Sequence, residues 1–239
     1  MTCGLFLLID YSYIYFTDCS TQSKHDVIFV VDESGSVGAA NFQKTKDAIK
    51  KVLVSLDIDS GLIRVGILCY SSSNRIIFHL EDHDSDLASA LTAVDNIVYQ
   101  KGGTYIATAM KKARQDMFVS NKGDRTDASN IMVVMTDGIS YDDYSEEDEA
   151  NLCRAAGIKV ASVAIGSNLD ETMLRNIAYS ESWYLQTDFD SLGDDFVTLM
   201  EALGPCPSGI QCKIIFSKYN IAIVPETCMS CPCCKFIRC

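Results

Sequence analysis

The sequence predicts an α/β protein: a doubly wound, mostly parallel sheet with one antiparallel edge strand, followed by a short Cys-rich C-terminal tail. Three observations carry that prediction. Short, unbroken apolar runs recur along the chain, among them DVIFVVD at Asp26–Asp32 and NIMVVMTD at Asn130–Asp137. Such runs mark strands buried on both faces, as in a parallel sheet. Segments with helical spacing separate them, and this alternation means parallel pairing with helices on both faces. Finally, RIIFHL follows RVGILCY after only SSSN. That gap fits a hairpin and not a crossover, so the second strand pairs antiparallel, at an edge.

The elements follow in order. After Asp26–Asp32, helical spacing recurs at Phe42, Thr45, Ile49, Val52, Leu53 and Leu56. Arg64–Tyr70 is the next strand and Arg75–Leu80 its hairpin partner. Leu87, Leu91, Val94 and Val98 mark a helix. Beyond the GGT turn at Gly102–Thr104, Ile106, Met110, Ala113 and Met117 mark another. Asn130–Thr136 is a buried strand. SEEDEANLCRAAG is a helix whose opening Ser145 and Asp148 resemble a capping box. IKVASVAIG is a strand, Met173–Ala178 a short helix, and WYLQT a last strand with Trp183 and Tyr184 in the core. Phe189, Leu192, Phe196, Leu199 and Leu203 form the final helix. The expected organisation is a possible signal peptide and extension over 1–25, one domain over 26–203, and the tail over 204–239.

Composition narrows the classes of function. With 239 residues, 48% hydrophobic and 22% charged, the chain can bury a full core and reads as globular. A net charge of −12 argues against nucleic acid or an anionic membrane surface, since both require clustered Lys and Arg. It fits a neutral or basic partner, or one reached through a metal cation. At the N-terminus, Leu5–Ile9 fits the core of a secretory signal, although Asp10 interrupts it and no Lys or Arg precedes Lys24. The alternative is an irregular extension. Of the eleven cysteines, Cys69 and Cys153 lie among apolar neighbours and read as buried free thiols. Cys3 would leave with a signal peptide. The other eight flank the central domain, an even number that suits disulfides in an oxidising compartment.

Oxygen-bearing residues gather where strands or turns end. They are DESGS at Asp32–Ser36, GGT at Gly102–Thr104 and TDG at Thr136–Gly138. If the strands ending at Asp32 and Asp137 are neighbours where strand order reverses, both carboxylates meet at one rim. Ser34, Ser36 and Thr104 add hydroxyls. Two carboxylates and three hydroxyls, without His or Cys, form a hard-oxygen site that suits Mg²⁺ or Mn²⁺ better than zinc. Mg²⁺ keeps open or water-filled positions, and a carboxylate of another molecule can take one.

These residues resemble the von Willebrand factor type A domain, in its extracellular-matrix and adhesive branch. DESGS matches the DxSxS signature, and Thr104 and Asp137 match the separate threonine and aspartate. The resemblance runs from Asp26 to Leu203. It implies a metal-ion-dependent adhesion site at Asp32, Ser34, Ser36, Thr104 and Asp137. It also implies chain ends that come close together, hence a disulfide between Cys19 and Cys206, with Cys212 the rival partner for Cys19.

Other chemistries fare worse. Ser36 as a nucleophile lacks a base, because His25 lies at the far end of its strand and His79 and His83 at an edge. No GxxxxGK[ST] or GxGxxG loop occurs. The acidic run Asp142–Glu149 reads as a helix start favoured by the macrodipole, or as a filter against acidic partners. Tyr105 and Tyr141 are candidate partner contacts beside the rim. The tail C-x2-C-x-C-C-x4-C reads as a disulfide knot, an interchain cross-link giving a disulfide-linked homo-oligomer, or a zinc site. The expected function is non-enzymatic: a secreted adhesion or matrix module that binds a carboxylate of a matrix protein such as collagen through Mg²⁺ or Mn²⁺. The alternatives are a structural matrix protein cross-linked through its tail, and an intracellular assembly scaffold with reduced cysteines.

Overall fold

A computed structural model of the chain describes residues 24–203 in full, and outside them only the backbone of four short strands. The elements are β1 (Phe6–Leu8), β2 (Ser12–Thr17), β3 (Lys24–Asp32), α1 (Gly38–Ser55), β4 (Ile63–Tyr70), β5 (Asn74–Phe78), α2 (Leu87–Asp95) and α3 (Ile106–Asp116). Next come β6 (Ala128–Thr136), α4 (Glu146–Ala155), β7 (Ile158–Ile165), α5 (Glu171–Ile177), β8 (Tyr184–Thr187), α6 (Leu192–Leu203), β9 (Cys212–Phe216) and β10 (Ala222–Ile223). The chain divides into two units, Lys24–Met200 and a second made of Met1–Ser23 with Glu201–Cys239.

The first unit is the expected doubly wound sheet, with strand order β5-β4-β3-β6-β7-β8. All pairings are parallel except β4 with β5, the antiparallel edge. β3 is the pivot. Its chain leaves through α1 to β4 on one side, while β6 lies against its other side, so strand order reverses between β3 and β6. The apolar run of β3 explains its central place, since Val27 to Val31 are all buried. Its side chains alternate between faces. Ile28 and Val30 join Ile106, Met110, Ala113 and Met117 in a cluster with α3. Phe29 turns to the other face and meets Phe196 of α6 edge-on, centroids 5.7 Å apart. Each such buried side chain stabilises the fold by about 1.5–3 kcal/mol.

Several element limits differ from the sequence reading, for identifiable reasons. α2 stops at Asp95, and Val98 is 69% exposed. The buried Lys46 ammonium caps the helix end, donating to the carbonyls of Asp95 (2.8 Å) and Ile97 (3.1 Å). α6 begins at Leu192 and not at Phe189, because the Asp188 carboxylate accepts from the N–H groups of Asp190 and Ser191 in a preceding turn. Trp183 lies in a 3₁₀ turn and is only half-buried, as is Tyr184. The Trp183 ring packs against Tyr179 at 5.4 Å, under the Lys159 ammonium. By contrast, Ser145 caps α4 as expected, its hydroxyl accepting from the Asp148 N–H. Cys69 and Cys153 are buried free thiols, and burial pushes both thiols up in pKa.

In the second unit, β1, β2, β9 and β10 form an antiparallel sheet in that order, with Tyr15 opposite Ile214 and Thr17 opposite Cys212. The sequence reading assigned no strands there. Cys19, Cys206 and the tail cysteines from Cys228 onward lie outside the described residues. Among the described residues no helix is long and apolar enough to cross a membrane.

Candidate metal centre

The rim forms where strand order reverses. Asp32 closes β3, and Thr136 closes β6 beside it. The register therefore sets the end of β3 beside the TDG turn, as a doubly wound sheet requires of a ligand crevice. Asp32 is 3% exposed. Its Oδ1 accepts from the Ser34 N–H at 2.7 Å, and its Oδ2 from the Thr136 hydroxyl at 2.8 Å. Ser34 and Ser36 hydroxyls lie 2.9 Å apart, and the Ser36 hydroxyl donates to Asp137 Oδ1 at 2.8 Å. Four of the five expected side chains are thus joined in one hydrogen-bonded chain with Thr136.

Thr104 arrives from the loop before α3 and is buried. Gly138 measures how it converges: a Cβ there would lie 3.4 Å from Ser36 Oγ and 3.7 Å from Thr104 Oγ1. The two hydroxyls therefore face one small space beside the Gly138 backbone. Gly102 packs so close to Ser71 and Ser72 that a Cβ would meet the Ser72 nitrogen at 2.6 Å. That contact explains the glycine.

Electrostatics sets Asp32 apart. The buried carboxylates among the described residues are Asp26, Asp32, Glu33 and Glu149. Asp26 pairs with Arg125, Glu33 with Arg75, and Glu149 with Arg114. The hydrogen bonds to Asp32 come instead from a backbone N–H and a hydroxyl. Burial, aided by the nearby Asp137 charge, pushes its pKa up to about 6 against those hydrogen bonds. Burial also raises Asp137, against its bond from Ser36. Buried charge in proteins is normally paired or coordinates a metal. Here the donor set is all oxygen, mixed carboxylate and hydroxyl, which fits a hard divalent cation.

The flanking candidates separate. Tyr141 is 68% exposed, and its N–H donates to the Thr104 carbonyl at 2.7 Å. It stands free at the rim beside Ile139, 47% exposed. Tyr105 is half-buried, its ring folded over Gly103. In the acidic run, Asp142 accepts from the Thr108 N–H and hydroxyl and so caps α3, while Glu149 holds Arg114. Ser36 bonds to Ser34 and Asp137 and not to a histidine, whereas His83 pairs with Ser89 far along the chain. Sequence reasoning missed Thr136, although it sits beside Asp137 in the same TDG turn.

Residues 26–198 match the von Willebrand factor type A domain. The chain belongs to that family. The A domain's relatives lie among extracellular-matrix proteins. It is 32% identical over 168 residues to the collagen α1(XII) chain of Notophthalmus viridescens, covering 67% of this chain and 17% of that one. It is 35% identical over 163 residues to human matrilin-1, covering 67% of this chain and 32% of that one. The chain thus spans a third or less of these relatives, none of which is an enzyme. Proximal thread matrix protein 1 of the mussel byssus shares the fold, with a TM-score of 0.71 and 26% identity over 75% of this chain and 47% of that one. A further structure of that protein, 24% identical with TM-score 0.71, is described with a zinc-occupied MIDAS motif and covers 75% of this chain and 48% of that one.

Proposed function

We propose that this A domain is a secreted, non-enzymatic adhesion or matrix module that binds a carboxylate of a matrix-protein partner, such as collagen, through Mg²⁺ or Mn²⁺. The observation that carries the proposal is Asp32, a buried carboxylate with neutral donors where the other buried carboxylates have arginines. Asp32, Ser34, Ser36, Thr104 and Asp137 would hold the cation. When bound, it supplies positive charge and an open coordination position. The rim's own residues supply the rest. The two serines and Thr104 present neutral oxygens, so the two carboxylates only balance the cation's charge and no excess negative charge repels an incoming carboxylate. Tyr141 and Ile139 flank that opening. This arrangement reconciles a chain of net charge −12 with an acidic partner. The test is binding to immobilised matrix proteins with and without a chelator. Saturable binding that the chelator abolishes and Mg²⁺ or Mn²⁺ restores supports the proposal; chelator-insensitive binding contradicts it.

The relatives' place in the matrix and the seven cysteines after Gly204 also favour a second reading, a structural protein cross-linked through its tail. Reductant-sensitive oligomers without chelator-sensitive binding would select it.

A further inference from the structure

The loop that carries Thr104 is strapped to the DESGS loop residue by residue. The Gln100 N–H donates to the Glu33 carboxylate at 3.3 Å. The Tyr99 hydroxyl donates to the Ser34 carbonyl at 2.7 Å and accepts from the Gly38 N–H at 3.1 Å. The Gly35 N–H donates to the Gly102 carbonyl at 2.9 Å. Consecutive residues of the DESGS loop thus each hold the facing loop. The strap is anchored behind as well. Arg75 of β5 donates both to Glu33, at 2.7 Å, and to the Val98 carbonyl, at 3.0 Å. Lys46 of α1 holds the carbonyls of Asp95 and Ile97. The Ser72 hydroxyl accepts from the Gly103 N–H at 2.8 Å. The Tyr99 ring rests on Phe42, centroids 5.3 Å apart.

Glu33 is 1% exposed and none of the expected metal ligands. A buried carboxylate and its arginine need a reason to lie between two loops rather than an apolar pair, which would hold a fold as well. Their geometry gives one. Both groups reach the segment just before Thr104, and Tyr99 ties that segment to the backbone of Ser34.

Resting on the metal-site reading above, we infer that Glu33, Arg75 and Tyr99 are positioning residues. They hold the Thr104 hydroxyl in register with those of Ser34 and Ser36 before any cation arrives. Binding then requires no loop rearrangement, and the cation's affinity is set in part by side chains that never touch it. Partners one step removed from the ligands typically change metal affinity by tenfold or more when lost.

The experiment is Mn²⁺ titration of the full chain by electron paramagnetic resonance, with water-proton relaxivity on the same samples. Tyr99→Phe removes the hydroxyl and keeps the ring on Phe42. Glu33→Gln removes the charge and keeps an acceptor for Gln100. We expect Tyr99→Phe to weaken Mn²⁺ about tenfold, and its bound Mn²⁺ to show higher relaxivity, because water replaces a poorly held Thr104. Ile49→Val, a fully buried change that removes none of the strap's hydrogen bonds, should lower Tm and leave the Kd unchanged. If the parent binds and Tyr99→Phe matches it within twofold, with the same relaxivity, the positioning role is wrong while the metal site stands. If Kd follows Tm equally in Ile49→Val and Tyr99→Phe, the strap is merely structural, which also overturns the inference. If the parent itself does not bind Mn²⁺, the metal-site reading falls and takes this inference with it.

Discussion

Asp32→Asn should abolish divalent-cation binding and at the same time stabilise the metal-free protein. The first effect follows from removing the buried negative charge at the centre of the rim. The second follows from the sign of its pKa shift. Burial raises the Asp32 carboxyl to about 6, above its usual unfolded value near 4. A raised carboxyl opposes folding when ionised. The cost is complete above about 6 and fades as the pH falls towards the unfolded value. At about 1.4 kcal/mol per pKa unit, and allowing for altered hydrogen bonds, the gain in Asp32→Asn at neutral pH is roughly 1–3 kcal/mol. The Asn amide fits: its oxygen can accept from the Ser34 N–H, and its NH₂ can donate to the Thr136 hydroxyl, which turns towards the Gly138 carbonyl 3.4 Å away. Urea denaturation of parent and variant in chelator, from pH 7.5 to 4, checks this. The stability difference should shrink as the pH falls through 6. A variant less stable than the parent at neutral pH would show that Asp32 is a structural acid.

The opposite result is expected of Arg125→Ala. Arg125 lies at the other end of the sheet, where its backbone N–H and Nε hold both oxygens of the fully buried Asp26 at 2.7 and 2.8 Å. Its remaining donors take the carbonyls of Gly61, His25 and Leu62. One side chain therefore joins β3, the start of β4 and the turn before β6. Truncation leaves a buried carboxylate with no cation and takes a donor from three carbonyls, of which that of Leu62 keeps the His25 N–H. Breaking a buried pair in this way typically costs about 3–5 kcal/mol. The loss should appear as a lower urea midpoint with unchanged slope. At temperatures where the variant is folded its Mn²⁺ affinity should match the parent's, because the rim is at the far end of the strands.

These two aspartates show what the sequence made legible and what it did not. Both punctuate the same apolar run, DVIFVVD, and its composition alone marks a central strand with an acid at each end. The carboxylate at the C-terminal end was readable as a site residue because DESGS, GGT and TDG follow a pattern of oxygens at strand ends. The register of β3 with β6 then brings DESGS and TDG together, and the loop before α3 adds GGT. Asp26 has no such pattern, and its partner Arg125 lies 99 residues away. The same holds for Glu33 with Arg75 and for Tyr99 with Ser34. Pairs distant in sequence are set by how the sheet closes, and one sequence carries no local trace of them. Val98 misled for a related reason. It continues the spacing of α2, but Lys46 from another helix ends that helix at Asp95. Periodicity records what a segment could form alone, and a tertiary cap overrides it. Of the terminal strands, β2 and β9 pair from opposite ends of the sequence, which leaves no local trace, while the β1–β2 and β9–β10 hairpins are local but very short.

The central claim is that the rim binds a divalent cation, and calorimetric titration with Mg²⁺ and with Mn²⁺, taken to millimolar concentration, tests it most directly. The parent should give saturable heat with a single site, and Asp137→Ala, which removes the half-buried carboxylate bonded to Ser36, should give none while remaining folded. Equal heats from both proteins, or none from the parent with either metal, would contradict the account.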